Sequence, residues 1–454
     1  MPSLTEGLAG LLARPVDLAD RARAALHLVD WLGCATAGSA SEVGGVFRAH
    51  AATFSPGAAR IIHGATVPAR DAAFANGAFG NVLEMDDVHR EAILHPGPVV
   101  IPAALALAAE RNTGGPALLD AVVRGYEAMI RIGRAMGPAH YRHFHPTSTC
   151  GPFGAATACA SLLGLDADRV AHALGNAGTG AGGVWQCRAE PVMTKQFHTA
   201  RAAQAGLDAA VLAAAGLTGP RLILEGPFGV FAGLAPDARP GRVLAEPQAP
   251  WLIHATSFKP WPACRHCHPA IDAALALRRR APPEAVAAVE VATYSDAIAF
   301  CDRRTPQTTG EAKFSLQHAV AVALLDGEPP LSAFDPPSLT RPDLVALRAR
   351  VTLREERRLS AAYPLRFGAA VSLTLRDGTV LAESVPDALG DPENPLPEAD
   401  LLAKARMLMI HAGSKPVQAE AAIAAALALA SGAAARSLDA ALPAAGPLPG
   451  TRAA

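Results

Sequence analysis

The ten residues from Lys259 to His268, Lys-Pro-Trp-Pro-Ala-Cys-Arg-His-Cys-His, hold one lysine, one arginine, two histidines and two cysteines. Two chemistries compete for them. Cys264-x-x-Cys267 with His266 and His268 offers the thiolates and imidazoles of a metal knuckle. Lys259, Arg265 and His268 offer a cationic wall for an anionic substrate. A lone Cys-x-x-Cys lacks the second ligand pair that a structural zinc site needs. The other cysteines, Cys34, Cys150, Cys159, Cys187 and Cys301, are scattered singly. We therefore expect no metal here and read the segment as part of an anion pocket.

Three further stretches carry similar residue types. In Asn81-Val-Leu-Glu-Met-Asp-Asp-Val-His-Arg90 and the following His95-Pro, the side chains of Glu84, Asp86, Asp87, His89 and His95 gather between two helical runs. They suit a pocket rim, and a polar loop with a helix cap is the plainer reading. His145-Pro146-Thr147 sets an imidazole at a helix start, beside backbone N–H groups that favour anions. An ordinary surface cap would look the same. Lys195 and His198 lie three apart, hence on one face of a helix. A solvated lysine is the plain alternative there.

The elements that must position these groups follow from periodicity. Apolar residues recur at helical spacing in 18–38, 67–85, 97–110, 116–136, 150–164 and 197–216. After about 255 the pattern changes. Strand-like alternation runs through 289–294, 351–354, 370–376 and, beyond an Asp377-Gly378 turn, 379–384. Helices near 268–280, 312–325 and 341–349 interleave with these strands. Helical spacing returns in 398–410 and 415–431, and the last residues, from Ala441 through Gly450, read as a loose tail. The fold expected is mainly α with an inserted α+β domain. Residues 1–254 and 395–454 form a helical domain from both chain ends, and 255–394 form a smaller α/β domain.

Composition limits the function. The 454 residues are half hydrophobic but only 5% aromatic, which suits Ala-rich helices packed closely. A formal charge of -1, with Lys and Arg spread along the chain, gives no footprint for nucleic acid. No run is long enough for a membrane span. Leu32-Gly33-Cys34 has the look of a lipoprotein cleavage site, but Asp17, Asp20, Arg21, Arg23 and Asp30 stand where its apolar segment belongs. Seven cysteines, an odd and low number, fit free thiols in a reducing compartment. A cytoplasmic protein is expected.

Taken together, Glu-Met-Asp-Asp…His-Pro, His-Pro-Thr, Met-Thr-Lys…His and Phe-Lys-Pro-Trp-Pro…His-Pro-Ala-Ile-Asp resemble the MmgE/PrpD family over roughly Leu26 to Ala412. That family includes 2-methylcitrate dehydratase, cis-aconitate decarboxylase and iminodisuccinate epimerase. The resemblance implies a cofactor-independent enzyme, usually a homodimer, with a large helical domain and an α/β lid. It places the active site in the cleft between them. Carried over by position, the pocket holds Asp87, His95, His145, Lys195, Lys259 and His268. Glu84 stands where Asp is usual, Val88 where Thr or Ser is usual, and His318 where decarboxylase-like members have Tyr after Ser315-Leu-Gln317.

The expected chemistry is cleavage of a bond beside a carboxylate. Lys195 and Lys259, with Arg265, would stabilise the developing negative charge. His95 and His145 would move the proton. Asp87 would orient an imidazole or hold a substrate hydroxyl, and His318 would donate a proton in place of tyrosine. Glu84 and His268 would contact the substrate. The first expectation is a dehydratase of a small hydroxylated di- or tricarboxylate. A decarboxylase or epimerase of a related acid is the alternative, and a non-catalytic carboxylate-binding homologue is the option from another class.

Overall fold

A computed structural model describes residues 2–190 and 192–444. Its contacts divide the chain into two compact units, residues 1–256 with 398–454, and residues 257–397. Helices dominate, with a small mixed sheet of four strands in the second unit.

In the first unit the helices Leu18–Ala40, Ala69–Phe79, Gly97–Arg111, Gly115–Ala135, Pro146–Leu162 and Lys195–Ala214 form the body. The first opens with a reciprocal cap between Asp17 and Asp20. Fully buried Ala103, Ala155, Ala158, Ala203 and Ala210 let these helices approach closely. This is how a chain poor in aromatics fills its interior. From the far end of the chain, helix Glu398–His411 packs on Leu18–Ala40. No helix among the described residues is long and apolar enough to cross a membrane.

The second unit's sheet runs in the order Val351–Glu355, Val286–Thr293, Ala369–Leu375, Val380–Val385. The first pair is parallel and the others antiparallel. Ala369, Val371 and Leu373 alternate inward, as a half-buried strand requires. Helix His268–Arg278 packs behind this strand, and helix Leu316–Leu325 packs on that helix.

Three local expectations change. The run 67–85 stops being helical at Phe79, because Asn81 turns its amide onto Asp86 and Glu84 takes a left-handed φ of 56°. The run 312–325 is two helices, because Ser315 caps the second one by accepting from His318 N–H. The tail is packed at its start, where Leu442 is buried and Pro443 O accepts from His63 N–H. The rest of that expectation, from residue 445 on, lies outside the described residues.

Candidate active site

The 80–96 loop of the first unit splits its paired carboxylates. Asp86 accepts from Asn81 Nδ2 at 2.8 and 2.7 Å and faces His95 Nδ1 at 2.9 Å. Asp87 turns the other way. Its Oδ2 accepts from His27 Nδ1 at 2.7 Å and from the Tyr126 hydroxyl at 2.6 Å, and its Oδ1 from Gly97 N–H at 2.9 Å. A Cβ on residue 97 would lie 2.7 Å from Asp87 Oδ1, so only glycine lets this helix start reach the carboxylate. The imidazole that Asp87 faces is that of buried His27, which sequence reasoning missed. Burial pushes His27 down to about 4, with Asp87 opposing the shift.

His95 Nδ1 also faces Asp87 O at 2.8 Å. With a carboxylate and a carbonyl on Nδ1, that nitrogen carries the hydrogen and Nε2 carries the lone pair. Among the described residues Nε2 has no hydrogen-bond partner. The geometry is that of an acid-oriented imidazole able to take or give a proton at Nε2. Beneath the loop, Lys404 donates to Asp30 Oδ1 at 2.6 Å and to Met85 O. Burial pushes the Asp30 carboxyl up to about 6, against the pull of Lys404. Neither residue carried a sequence signal, because they lie far apart in the chain on otherwise apolar helical faces.

His145 caps helix Pro146–Leu162. Its Nδ1 lies 3.1 Å from His198 Nδ1, and its ring stacks on Trp185 with centroids 4.2 Å apart. Thr147 Oγ1 accepts from His95 N–H at 3.0 Å, which ties the acidic loop to this helix start. Lys195 opens helix Lys195–Ala214 and pairs with Glu84. Burial first, then the Lys195 cation and the neighbouring imidazoles of His198, His95 and His140, hold His145 well below its usual range. Burial and Lys195 push His198 down to about 4. The cluster therefore sets neutral imidazoles beside a lysine cation. The spacing of Lys195 and His198 had marked that helix face, whereas Trp185 had no motif to announce it.

The second unit places its candidates differently. Arg265 pairs with Asp391 at 2.5 Å, donates to Leu389 O at 3.0 Å and faces His268 Nδ1 at 3.2 Å. His268 Nε2 lies 3.1 Å from Ala263 O. Both side chains bond within their own unit. His318 Nε2 donates to Ala333 O at 2.7 Å and Nδ1 faces Arg348 at 3.3 Å. Lys259 is fully buried. Cys264 and Cys267 are buried thiols, and no group of three or more His, Cys, Asp or Glu among the described residues is arranged to hold a metal ion.

Comparison with known proteins assigns the class. Residues 4–242 match the MmgE/PrpD N-terminal domain, and residues 261–429 match the MmgE/PrpD C-terminal domain. The chain belongs to the MmgE/PrpD family. Among its relatives, the cis-aconitate decarboxylase of Mus musculus is 28% identical over 430 residues, covering 89% of this chain and 86% of that protein. The cis-aconitate decarboxylase of Homo sapiens is 28% identical over 429 residues, covering 89% of this chain and 88% of its own length. That of Aspergillus terreus is 28% identical over 422 residues, covering 87% and 85%.

Proposed function

We propose that this protein is a lyase that decarboxylates a small unsaturated tricarboxylic acid of the cis-aconitate type. The observation that carries this reading is the Asp86–His95 pair, whose Nε2 is available for proton transfer, in the same unit as Lys195 and the His145–His198 pair. The relatives that match most of the chain are named cis-aconitate decarboxylases, which supports the same reaction.

In such a reaction the bond between a carboxylate and its neighbouring carbon breaks and CO2 leaves. The electron pair stays behind, spreads through the double bond towards a second carboxylate, and takes up one proton at carbon. Lys195 offsets the growing negative charge. His95 takes a proton from solvent at Nε2 and delivers it to carbon, and Asp86 holds the imidazole in register. The His145–His198 pair faces the substrate as neutral donor and acceptor. Lys259 is carried forward as a carboxylate contact on the strength of its family motif.

A dehydratase of a 2-methylcitrate-like acid, the first expectation from sequence, becomes the second reading. Glu84 and Val88, which depart from the usual family pattern, keep it in view. Incubating the protein with equal concentrations of cis-aconitate, 2-methylcitrate, citrate and iminodisuccinate separates the readings. CO2 from cis-aconitate alone supports the decarboxylase. Water loss from 2-methylcitrate supports the dehydratase, inversion of iminodisuccinate the epimerase, and no turnover a non-catalytic homologue.

The homodimer is proposed on similar grounds. Phe228 is fully exposed, and Phe197, Leu212, Leu217 and Leu222 are about half exposed, an apolar set that suits burial against a second copy. Sedimentation equilibrium tests this, with a monomer contradicting it.

A further inference from the structure

The segment after residue 180 contributes a side chain that no motif marked. Phe144 and Val184 form an isolated antiparallel bridge, and His145 N–H donates to Gly183 O at 2.9 Å. Gly183 has a φ of 121°, and a Cβ there would lie 2.3 Å from Ser148 Oγ. The chain can press so closely on the helix start only because this residue has no side chain. These contacts seat the short turn Trp185–Arg188 against His145. The Trp185 indole and the His145 imidazole then stack with 25° between their planes, and His198 lies 6.3 Å from the same indole.

Packing accounts for the stack but not for the indole nitrogen. Trp185 Nε1 is shielded from solvent and has no hydrogen-bond partner among the described residues. A buried donor without an acceptor is costly, and tryptophan N–H groups usually find one. Trp31 has an orphan indole nitrogen too, but its ring is part of the hydrophobic core. Trp185 lies outside that core, in a short turn beside two imidazoles.

We propose that Trp185 is a specificity-determining residue of this site: its ring fixes the plane of the His145 imidazole, and its indole N–H is the donor for a carboxylate oxygen of the bound acid. This rests on the carboxylic-acid reading above. The acid displaces the groups that now cover Nε1. Gly180 and Gly182, with open space where a Cβ would be, give the loop the freedom to yield.

The test measures the Kd of cis-aconitate by calorimetry, with kcat and KM, on the full chain and on Trp185→Phe and Trp185→His. Loss of one hydrogen bond to a charged group predicts a Kd and KM about tenfold higher for Trp185→Phe, with a smaller change in kcat. Trp185→His keeps a ring N–H and is expected to recover most of that loss. Wild-type affinity in Trp185→Phe overturns the proposal, as does equal weakening in both variants. If the wild-type protein binds and turns over the acid, such a failure is confined to Trp185. If the wild-type protein binds none of the four acids, the functional reading falls and takes this proposal with it. Should Trp185→Phe not fold, the indole 15N–1H signals of the four tryptophans decide. One must move downfield when cis-aconitate is added, and four unmoved signals overturn the proposal.

Discussion

Asp86 faces His95 in the acidic loop, with Oδ2 2.9 Å from Nδ1, while adjacent Asp87 accepts from His27 and Tyr126. On the proposed function, the two neighbouring carboxylates separate catalysis from structure. Asp86→Asn is expected to lower kcat by about 100-fold or more, because the imidazole loses the partner that fixes its tautomer. Its stability should change little beside that of Asp87→Asn. The latter disturbs three buried hydrogen bonds and is expected to cost about 3 kcal/mol in urea denaturation. Equal kinetic effects from both substitutions would contradict this division.

Lys195 and His145 are expected to matter for rate more than for fold. Lys195→Ala and His145→Ala should each fold with a similar Tm and lose about 100-fold or more in kcat/KM, the scale of losing one preorganised electrostatic or proton-transfer group. Circular dichroism melts with steady-state kinetics check this. Near-wild-type rates in both variants would show that the site is misassigned.

The Lys404–Asp30 pair supports the loop from below at Met85. Lys404→Met leaves a buried carboxylate without its cation and is expected to destabilise the protein by about 3–5 kcal/mol. The double variant Asp30→Asn with Lys404→Met should recover much of that loss. A double variant no more stable than Lys404→Met alone would mean that the pair is not the source of the cost.

Stability should fall on acidification between pH 6.5 and 4. Burial pushes His27 and His198 down to about 4 and His89 to about 3, so in this window the unfolded chain binds more protons than the folded one. Their contribution is complete above pH 6.5 and is lost as pH falls through the folded values. For His27 alone it is about 3 kcal/mol. Asp30 runs the other way, since its folded value of about 6 favours the protonated fold, and it offsets only one of the histidines. Melting curves across this range check the sign, and a Tm that is flat or rises towards pH 4 would contradict it.

What could be read from the chain alone depended on distance in sequence. Helical spacing marked most helices of the first unit, and alternation marked the strands near 289–294 and 370–376. The breaks at Phe79 and Ser315 were hidden, because Asn81 and Ser315 compete with the helix through side-chain bonds that apolar periodicity does not register. The motifs pointed to His95, His145, Lys195 and Glu84. They could not say that Asp87 faces His27, or that Arg265 is taken by Asp391, because those partners lie 60 and 126 positions away. Trp185 was silent for the same reason: nothing in its neighbourhood distinguishes it until the 144–184 bridge folds it onto His145.

The central claim, loss of CO2 with proton delivery at carbon, is tested most directly by proton NMR of cis-aconitate incubated with the enzyme in deuterated water. The account predicts release of CO2 and a product of one fewer carbon that carries a single deuterium, with the rate falling about 100-fold or more in Asp86→Asn. A product that keeps all three carboxylates and has added water across the double bond would contradict it.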